Sequence, residues 1–273
     1  MTTLPSEPHD NPPVRSHLLR EVAESFGADA GRYDRARPGY PVDLVERIVA
    51  ASPGRDLLDV GCGTGISARL FQAAGCTVLG VDPDPRMAEL ARQGGTAVEV
   101  AKFEDWDPAA RAFDTVVAAQ AWHWVDPVAG AAKAAAALRP GGRLAVFWNA
   151  FEPPAELKAA FTEVFRRAIP EAPAVGGFWS RPALDAYRAG CARAAGGMRE
   201  TGAFGEPEEW LSHWERPYTR DEWLDLLPTT GGFSRHPRAL QEELLSGVGQ
   251  AVDAVGGSFT MGYDTIACTA VRS

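Results

Sequence analysis

Between residues 41 and 150, short apolar runs alternate with segments whose apolar residues recur at helical spacing. The short runs predict strands that are covered on both faces, and the spaced segments predict helices. Glycine or proline stands at most junctions, for example Pro53-Gly54 and Gly94-Gly95, where regular structure should end. The predicted strands are 56–60, 76–81, 96–101, 113–119 and 143–148. The predicted helices are 41–51, 66–74, 85–93 and 127–138.

This alternation of strand and helix predicts an α/β fold with helices on both faces of a doubly wound sheet. After residue 150 the chain reads as helix at 155–168, 183–195, 221–227 and 237–255, and as strand at 208–218 and 258–272. The two late strands should pair antiparallel. The expected fold is therefore a mostly parallel seven-stranded sheet with an antiparallel edge strand and a helical cap insertion.

The same pattern divides the chain into four regions. The proline-rich start has no apolar core and resembles neither a signal peptide nor a foldable element. The regions are 1–17, a disordered lead-in; 18–150, the α/β core with an N-terminal helical lid; 151–203, the cap insertion; and 204–273, which completes the sheet.

The composition of the chain limits the classes of binding partner that we expect. A formal charge of −9 disfavours nucleic acid and anionic membranes and leaves a small molecule as the expected partner. We expect no spanning helix, because no sufficiently long apolar stretch occurs. The four cysteines form no CxxC pair, so they should be reduced thiols in a cytoplasmic protein, and no motif indicates a metal. The protein should be a monomer or a homodimer.

Candidate chemistry begins at the first predicted strand, which ends in Asp59-x-Gly61-x-Gly63-x-Gly65 and leads into a helix. Such a turn places bare backbone and a helix N-terminus at the carboxyl edge of the sheet, where ligands bind. The dinucleotide pattern GxGxxG would need its third glycine at position 66, which is Ile. Asp59 is placed to hold the loop and to favour an ammonium group. A tight turn without a ligand is the alternative.

The loop spacing resembles motif I of the class I S-adenosylmethionine-dependent methyltransferases. Further segments follow in that family's order: VLGVDPDPRM, AKFEDW, and AFDTVVAAQAWHWVD with LRPGGRLAVFWN, the last two similar to the methyltransferase type 11 group. The resemblance covers residues 26–150 and implies a Rossmann-like core that binds S-adenosylmethionine and methylates O, N or C of a small organic acceptor. An NAD(P)-dependent oxidoreductase and a non-catalytic cofactor-binding module remain alternatives.

The second predicted strand ends at Asp82, where an acidic group can accept hydrogen bonds from ribose hydroxyls in either cofactor class. By resemblance, Glu104 accepts from the adenine amino group, with Asp105 as second choice. Solvent-facing acidic turns and a surface pairing of Arg37 with Asp34 or Glu46 are the alternatives. The full cofactor set is Tyr33, Arg37, Asp59, Gly61, Gly63, Gly65, Asp82, Pro83, Met87, Phe103, Glu104, Asp105 and Gln120.

Methyl transfer needs no protein nucleophile, because the cofactor supplies an activated carbon. His123, after the fourth strand, is the candidate base or acceptor-orienting group, and its alternative role is to fix the loop. Aromatic residues are candidates for the acceptor pocket, although burial in the core explains each of them equally well. They are Trp122, Trp124, Phe178 and Trp179, with Trp210, Trp214 and Trp223 further along the chain.

Overall fold

The computed structural model describes residues 26–170, 183–230, 233 and 236–273, which form seven strands, nine α-helices and three short 3₁₀ helices. The strands are β1 Asp56–Val60, β2 Thr77–Asp82, β3 Ala97–Val100, β4 Phe113–Ala119, β5 Leu138–Glu152, β6 Glu208–Thr219 and β7 Ser258–Val271. The helices are α1 Ala30–Ala36, α2 Val42–Ala50, α3 Ile66–Ala73, α4 Pro85–Gln93, α5 Pro127–Ala137, α6 Ala155–Ala168, α7 Ala183–Thr201, α8 Arg220–Leu226 and α9 Arg238–Ala254.

All seven strands form one sheet in the order β3-β2-β1-β4-β5-β7-β6. The first five pair in parallel, and β7 pairs antiparallel with both β5 and β6. Every residue of β4 is buried, including Asp114 and Thr115, as expected of a central strand covered on both faces. The predicted doubly wound, mostly parallel sheet, with its late antiparallel pairing at one edge, is confirmed.

Local signals set several helix starts where they were predicted. Asp84 caps α4 by accepting from the Arg86 backbone N–H, and Pro85 occupies the first turn. Asp126 caps α5 in the same way, followed by Pro127. These two helices begin directly beyond the carboxyl ends of β2 and β4, so their caps fix the edge of the sheet where ligands bind.

Two elements differ from the prediction. The strand predicted at 143–148 is longer, because β5 runs from Leu138 to Glu152 with a register shift against β4. The shift passes through Gly141 at φ +77°, which forms a bulge within the strand. Helix α1 was not predicted. Asp29 caps its N-terminus, and several of its side chains are charged.

Three apolar clusters hold the layers together. On one face of the sheet, α5 and α7 cover Trp148 and Ile266. On the other face, α2 and α3 cover Phe147. A further cluster joins α6, α8 and α9 around Phe161 and Trp223. Helix α7 thus covers the sheet, whereas α6 belongs to this third cluster, and the division into core and cap stays a prediction.

The predicted lead-in at 1–17 lies outside the described residues. None of the helices described is both long and apolar enough to cross a lipid bilayer.

Candidate functional site

The loop between β1 and α3 is built from backbone that only glycine adopts easily. Gly61, Gly63 and Gly65 have φ values of +65°, +55° and +86°. A Cβ atom on Gly61 would lie 2.5 Å from Cβ of Ala121, at the end of β4. The loop therefore presses bare backbone against the neighbouring strand ends, as the sequence predicted.

Asp59, at the end of β1, is fully buried beside this loop. The Ser67 hydroxyl donates to its Oδ2 at 2.6 Å, and Oδ1 has no hydrogen-bond partner among the described residues. Burial raises the pKa of Asp59 to about 7, the Ser67 bond opposes this, and the charge of Asp82 adds to it. A buried carboxylate oxygen without a donor fits a ligand that brings a cationic donor, such as an ammonium group.

Asp82 ends β2 and is held rigidly. Its Oδ2 accepts the Gly63 N–H at 2.8 Å and its Oδ1 accepts the Asp84 N–H at 2.9 Å. Burial raises its pKa to about 6, and these two backbone bonds oppose the rise. Each oxygen keeps a further lone pair, so the side chain can accept from two neighbouring hydroxyls.

The residues after Asp82 differ in exposure. Met87 is buried, and its Cε would lie 3.6 Å from a Cβ on Gly63, so it packs beneath the glycine loop. Pro83 is exposed at the rim. Met87 is thus close to the loop, while Pro83 could only flank a ligand.

The acidic turn after β3 is tied to the start of α5. Glu104 is half-buried, and its Oε1 accepts the Asp126 N–H at 3.0 Å, whereas Asp105 is exposed. Phe103 is buried with its ring 6.1 Å from that of Trp122. Glu104 is therefore better positioned than Asp105 to meet a ligand at this edge.

His123 lies in a short 3₁₀ turn, Trp122–Trp124, after β4. The Trp148 indole N–H donates to His123 Nδ1 at 3.2 Å. Because an indole nitrogen can only donate, Nδ1 is unprotonated and the neutral ring carries its hydrogen on Nε2. Burial lowers the pKa of His123 to about 4, helped by the charge of Arg193. At neutral pH His123 is thus a hydrogen-bond donor and a weak base.

The aromatic candidates are distributed unevenly. Trp122 is buried and its ring packs close to Gly130, so it belongs to the core. Trp124 is half-buried. Trp210 and Trp223 are also buried. Half-buried Trp214 stacks on Tyr263 with ring centroids 4.3 Å apart. Phe178 and Trp179 lie outside the described residues.

Residues 30–40, here called the strap, join the glycine loop to α8. Asp34 pairs with Arg69 at 2.7 Å, and Arg69 also donates to the Thr64 carbonyl within the loop at 2.9 Å. On the other side, Arg32 and Arg35 pair with Asp225 of α8 at 2.9 and 3.0 Å. The strap therefore bridges the two sides of the site.

Arg37 does not pair with Asp34; its guanidinium donates to the Thr229 carbonyl beyond α8. It also lies over the Tyr33 ring, 4.9 Å from the centroid. The chain has five tyrosines, of which Tyr33 is one. Burial raises the pKa of each of the other four, and the nearby charge of Arg37 opposes this rise in each case. These four are Tyr40, Tyr187, Tyr218 and Tyr263. We call Arg37 and the five tyrosines the tyrosine cluster.

Sequence reasoning found only part of this cluster. Tyr33 and Arg37 were predicted site residues and Tyr40 follows them in the same segment, whereas Tyr187, Tyr218 and Tyr263 come from α7, β6 and β7. Gln120, at the end of β4, has φ +54° and donates to the Asn149 carbonyl at 3.4 Å. A hydrogen bond to Gln120 opposes the raised pKa of Tyr187, so the predicted Gln120 faces this cluster.

A groove of about 400 Å³ also lies on the surface where β5, β6 and β7 meet. Three of its lining residues are acids, Glu152, Glu215 and Asp264, and His213 contacts the last of these. Its acidity disfavours an anionic ligand. In the described part of the chain, no group of three or more His, Cys, Asp or Glu side chains could hold a metal ion.

Comparison with known proteins gives consistent matches. A family model for a methyltransferase domain matches residues 33–159. An uncharacterized methyltransferase of Mycobacterium tuberculosis is 39% identical over 139 residues, 48% of this chain and 54% of the relative. A malonyl-[acyl-carrier protein] O-methyltransferase of Serratia marcescens is 40% identical over 75 residues, 26% of this chain and 29% of that protein. The chain thus spans about half the length, or less, of these curated relatives.

The fold has a solved counterpart. A proposed type II methyltransferase from Anaeromyxobacter dehalogenans superimposes with a TM-score of 0.63 at 25% identity, covering 85% of this chain and 97% of that one. The family model matches the part of the chain that contains the glycine loop and Asp82.

Proposed function

We propose that the chain is a class I S-adenosylmethionine-dependent methyltransferase that transfers a methyl group to O, N or C of a small organic acceptor. The observation that carries this is the buried Asp59 oxygen that no donor among the described residues reaches, beside a loop of left-handed glycines. A dinucleotide would bring a diphosphate to this place, whereas S-adenosylmethionine brings an ammonium group. Only the ammonium suits a buried carboxylate.

S-adenosylmethionine supplies an electrophilic methyl group on a sulfonium when it is bound. In our proposal Asp59 accepts from the ammonium, Asp82 accepts from the ribose hydroxyls, and Glu104 accepts from the adenine amino group. The order of strands supports this set, because β1, β2 and β3 are consecutive neighbours and these residues follow their carboxyl ends. Roles for Tyr33, Pro83, Met87, Phe103 and Gln120 in binding the cofactor stay predictions.

His123 has an orienting role in this proposal. Its Nδ1 is occupied by Trp148, so the ring can offer only Nε2–H to an acceptor. With a pKa of about 4, His123 is a much weaker base than an efficient general base, whose pKa lies near the working pH of about 7. Donation by His123 could position an acceptor oxygen or a carbonyl next to it.

The identity of the acceptor must be argued from this chain's own residues. The match to the Serratia O-methyltransferase covers only 29% of that protein. A cytoplasmic location and a monomeric or dimeric state stay predictions.

Titration calorimetry of the full chain with S-adenosylmethionine and with NAD tests the cofactor class. We expect S-adenosylmethionine to bind and Asp82→Ala to weaken it by about 1–3 kcal/mol, the range for hydrogen bonds to a charged group. Asp43→Ala, an exposed carboxylate in the first turn of α2, is the matched control and should bind normally. Binding of NAD alone would refute the proposal, and unchanged affinity in Asp82→Ala would remove Asp82 from this role.

A further inference from the structure

We propose that the group methylated is a carboxylate, and that Arg37 and the phenols of the tyrosine cluster bind it, so that the product is a methyl ester. This inference rests on the proposed function and names its class of acceptor. It also gives Arg37 a different partner from the cofactor, to which the sequence analysis assigned it.

The position of Arg37 favours binding of the acceptor over binding of the cofactor. Asp82 and Glu104 lie beyond β2 and β3, toward one edge of the sheet. Arg37 contacts the Thr229 carbonyl after α8 and lies near Tyr218 of β6 and Tyr263 of β7, toward the opposite edge. A ligand extending from Asp82 past the glycine loop would therefore meet this cluster with its far end.

The charge of the cluster suits an anion. Arg37 brings a guanidinium, and the Arg216 guanidinium lies 4.7 Å from the centroid of the Tyr218 ring. Among the described residues, Asp59 interacts with Tyr40 and is held by Ser67, and Glu222 is turned toward the N-terminus of α8, where it accepts from Thr219. Tyr263 also lines the surface groove whose acids are Glu152, Glu215 and Asp264, so the anion would bind on the side of the cluster that faces Arg37. The cluster thus presents fixed positive charge beside hydroxyl groups.

The phenols act as donors. The Tyr218 and Tyr263 hydroxyls lie 2.6 Å apart and are buried. One hydrogen lies between the two oxygens, which leaves the second hydrogen for another acceptor. Burial raises the pKa of both phenols, so they stay protonated at neutral pH. A guanidinium with phenol O–H groups matches a carboxylate better than an amine or a neutral hydroxyl.

A carboxylate acceptor needs no base, so Asp59 and Asp82, the described carboxylates of this site with a raised pKa, keep their proposed role of holding the cofactor. One carboxylate oxygen forms the bond to the methyl carbon while the carbon–sulfur bond breaks and its electron pair goes to sulfur. Anion and cation give two neutral products, and no proton has to be removed. A hydroxyl or a protonated amine would need a base, and His123 is a poor one.

The test measures binding first, on the full chain saturated with S-adenosylhomocysteine. The probes are benzoate, hexanoate and succinate, each compared with its own amide by ligand-observed NMR titration. We expect at least one carboxylate to bind at least about tenfold more tightly than its amide. Arg37→Gln should weaken that carboxylate by about 10- to 100-fold. Arg238→Gln, an exposed arginine at the start of α9 that pairs with Glu242, is the control and should change little.

Two further variants guard against a folding defect. Arg37→Lys keeps the charge and should retain part of the preference for the carboxylate over its amide. Tyr218→Phe removes one hydroxyl and should weaken carboxylate binding, while an unchanged circular dichroism spectrum shows that the variant is folded. With tritiated methyl donor, any probe that is turned over should give radioactivity that alkali releases as methanol.

The outcomes separate the two proposals. If the chain binds neither S-adenosylmethionine nor S-adenosylhomocysteine, the proposed function fails. If it binds them and no probe carboxylate is preferred over its amide, the carboxylate inference is overturned. Preference that survives in Arg37→Gln, or a loss of cofactor affinity in that variant with unchanged carboxylate binding, would equally overturn it.

Discussion

Replacing Asp59 with asparagine should make the ligand-free protein more stable while impairing cofactor binding. Asp59 is fully buried, and its folded pKa of about 7 lies roughly three units above the ordinary value of 3.8. Since one unit corresponds to about 1.36 kcal/mol, ionised Asp59 costs the folded state about 4 kcal/mol above pH 7. Asparagine is neutral at every pH and still offers the Ser67 hydroxyl an acceptor.

The sign of the pH dependence follows from the raised pKa. Between pH 3.8 and about 7 the folded state holds the Asp59 proton while the unfolded chain has released it. The contribution is therefore complete below the unfolded pKa and is lost as the pH rises through about 7. From pH 5 to pH 8 the loss amounts to about 2–3 kcal/mol. The raised pKa of Asp82, about 6, acts in the same direction.

Urea unfolding of the ligand-free protein at pH 5 and pH 8 measures this effect. We expect Asp59→Asn to be more stable than the parent by about 2–4 kcal/mol at pH 8, with a smaller gain at pH 5. Asp56→Asn, an exposed carboxylate of the same strand that pairs with Arg139, is the control and should show no such gain. Equal or lower stability of Asp59→Asn at pH 8 would refute the reasoning.

Three further changes probe separate parts of the site. Gly61→Ala should destabilise the fold by about 1–3 kcal/mol and weaken cofactor binding, because its Cβ would meet Ala121 in a left-handed backbone; urea unfolding and calorimetry measure both effects. His123→Ala should lower turnover without altering the shape of the pH–rate profile above pH 6, since the ring is already neutral there. Asp225→Asn should cost at most about 1 kcal/mol, because its ion pairs are partly exposed, yet speed amide hydrogen exchange in α1 relative to α2.

Each of these has a clear contrary result. Normal stability and affinity in Gly61→Ala would show that the loop has room for a side chain. An inflection near pH 6.5 that disappears in His123→Ala would make that residue a titrating base. Unchanged exchange in α1 of Asp225→Asn would show that the strap is held without α8.

Elements whose boundaries are set locally were predictable from the sequence. Strand β4 reads as an apolar run because both of its faces are buried, and α4 and α5 begin at Asp-Pro pairs that cap them. The end of β5 was not predictable in this way. Its residues Asn149–Glu152 are paired with Gly262–Thr265 of β7, a partner more than one hundred residues away.

The cofactor half and the acceptor half of the proposed site differ, for the same reason, in how far the sequence could predict them. The glycine loop and Asp82 carry their chemistry in adjacent residues, so spacing predicted them, and the structure places them together through the Gly63 N–H. The tyrosine cluster draws its side chains from the strap, α7, β6 and β7. No local pattern marks Tyr187 or Tyr263, because their neighbours are determined by packing between distant segments.

A crystal structure of the full chain with S-adenosylhomocysteine would test the central claim most directly. We predict density in the crevice between Gly61 and Asp82, with the Asp59 carboxylate at the amino group and the Asp82 carboxylate at the ribose hydroxyls. A crevice left empty at saturating concentration, or a ligand bound with Asp59 and Asp82 turned away from it, would contradict the account.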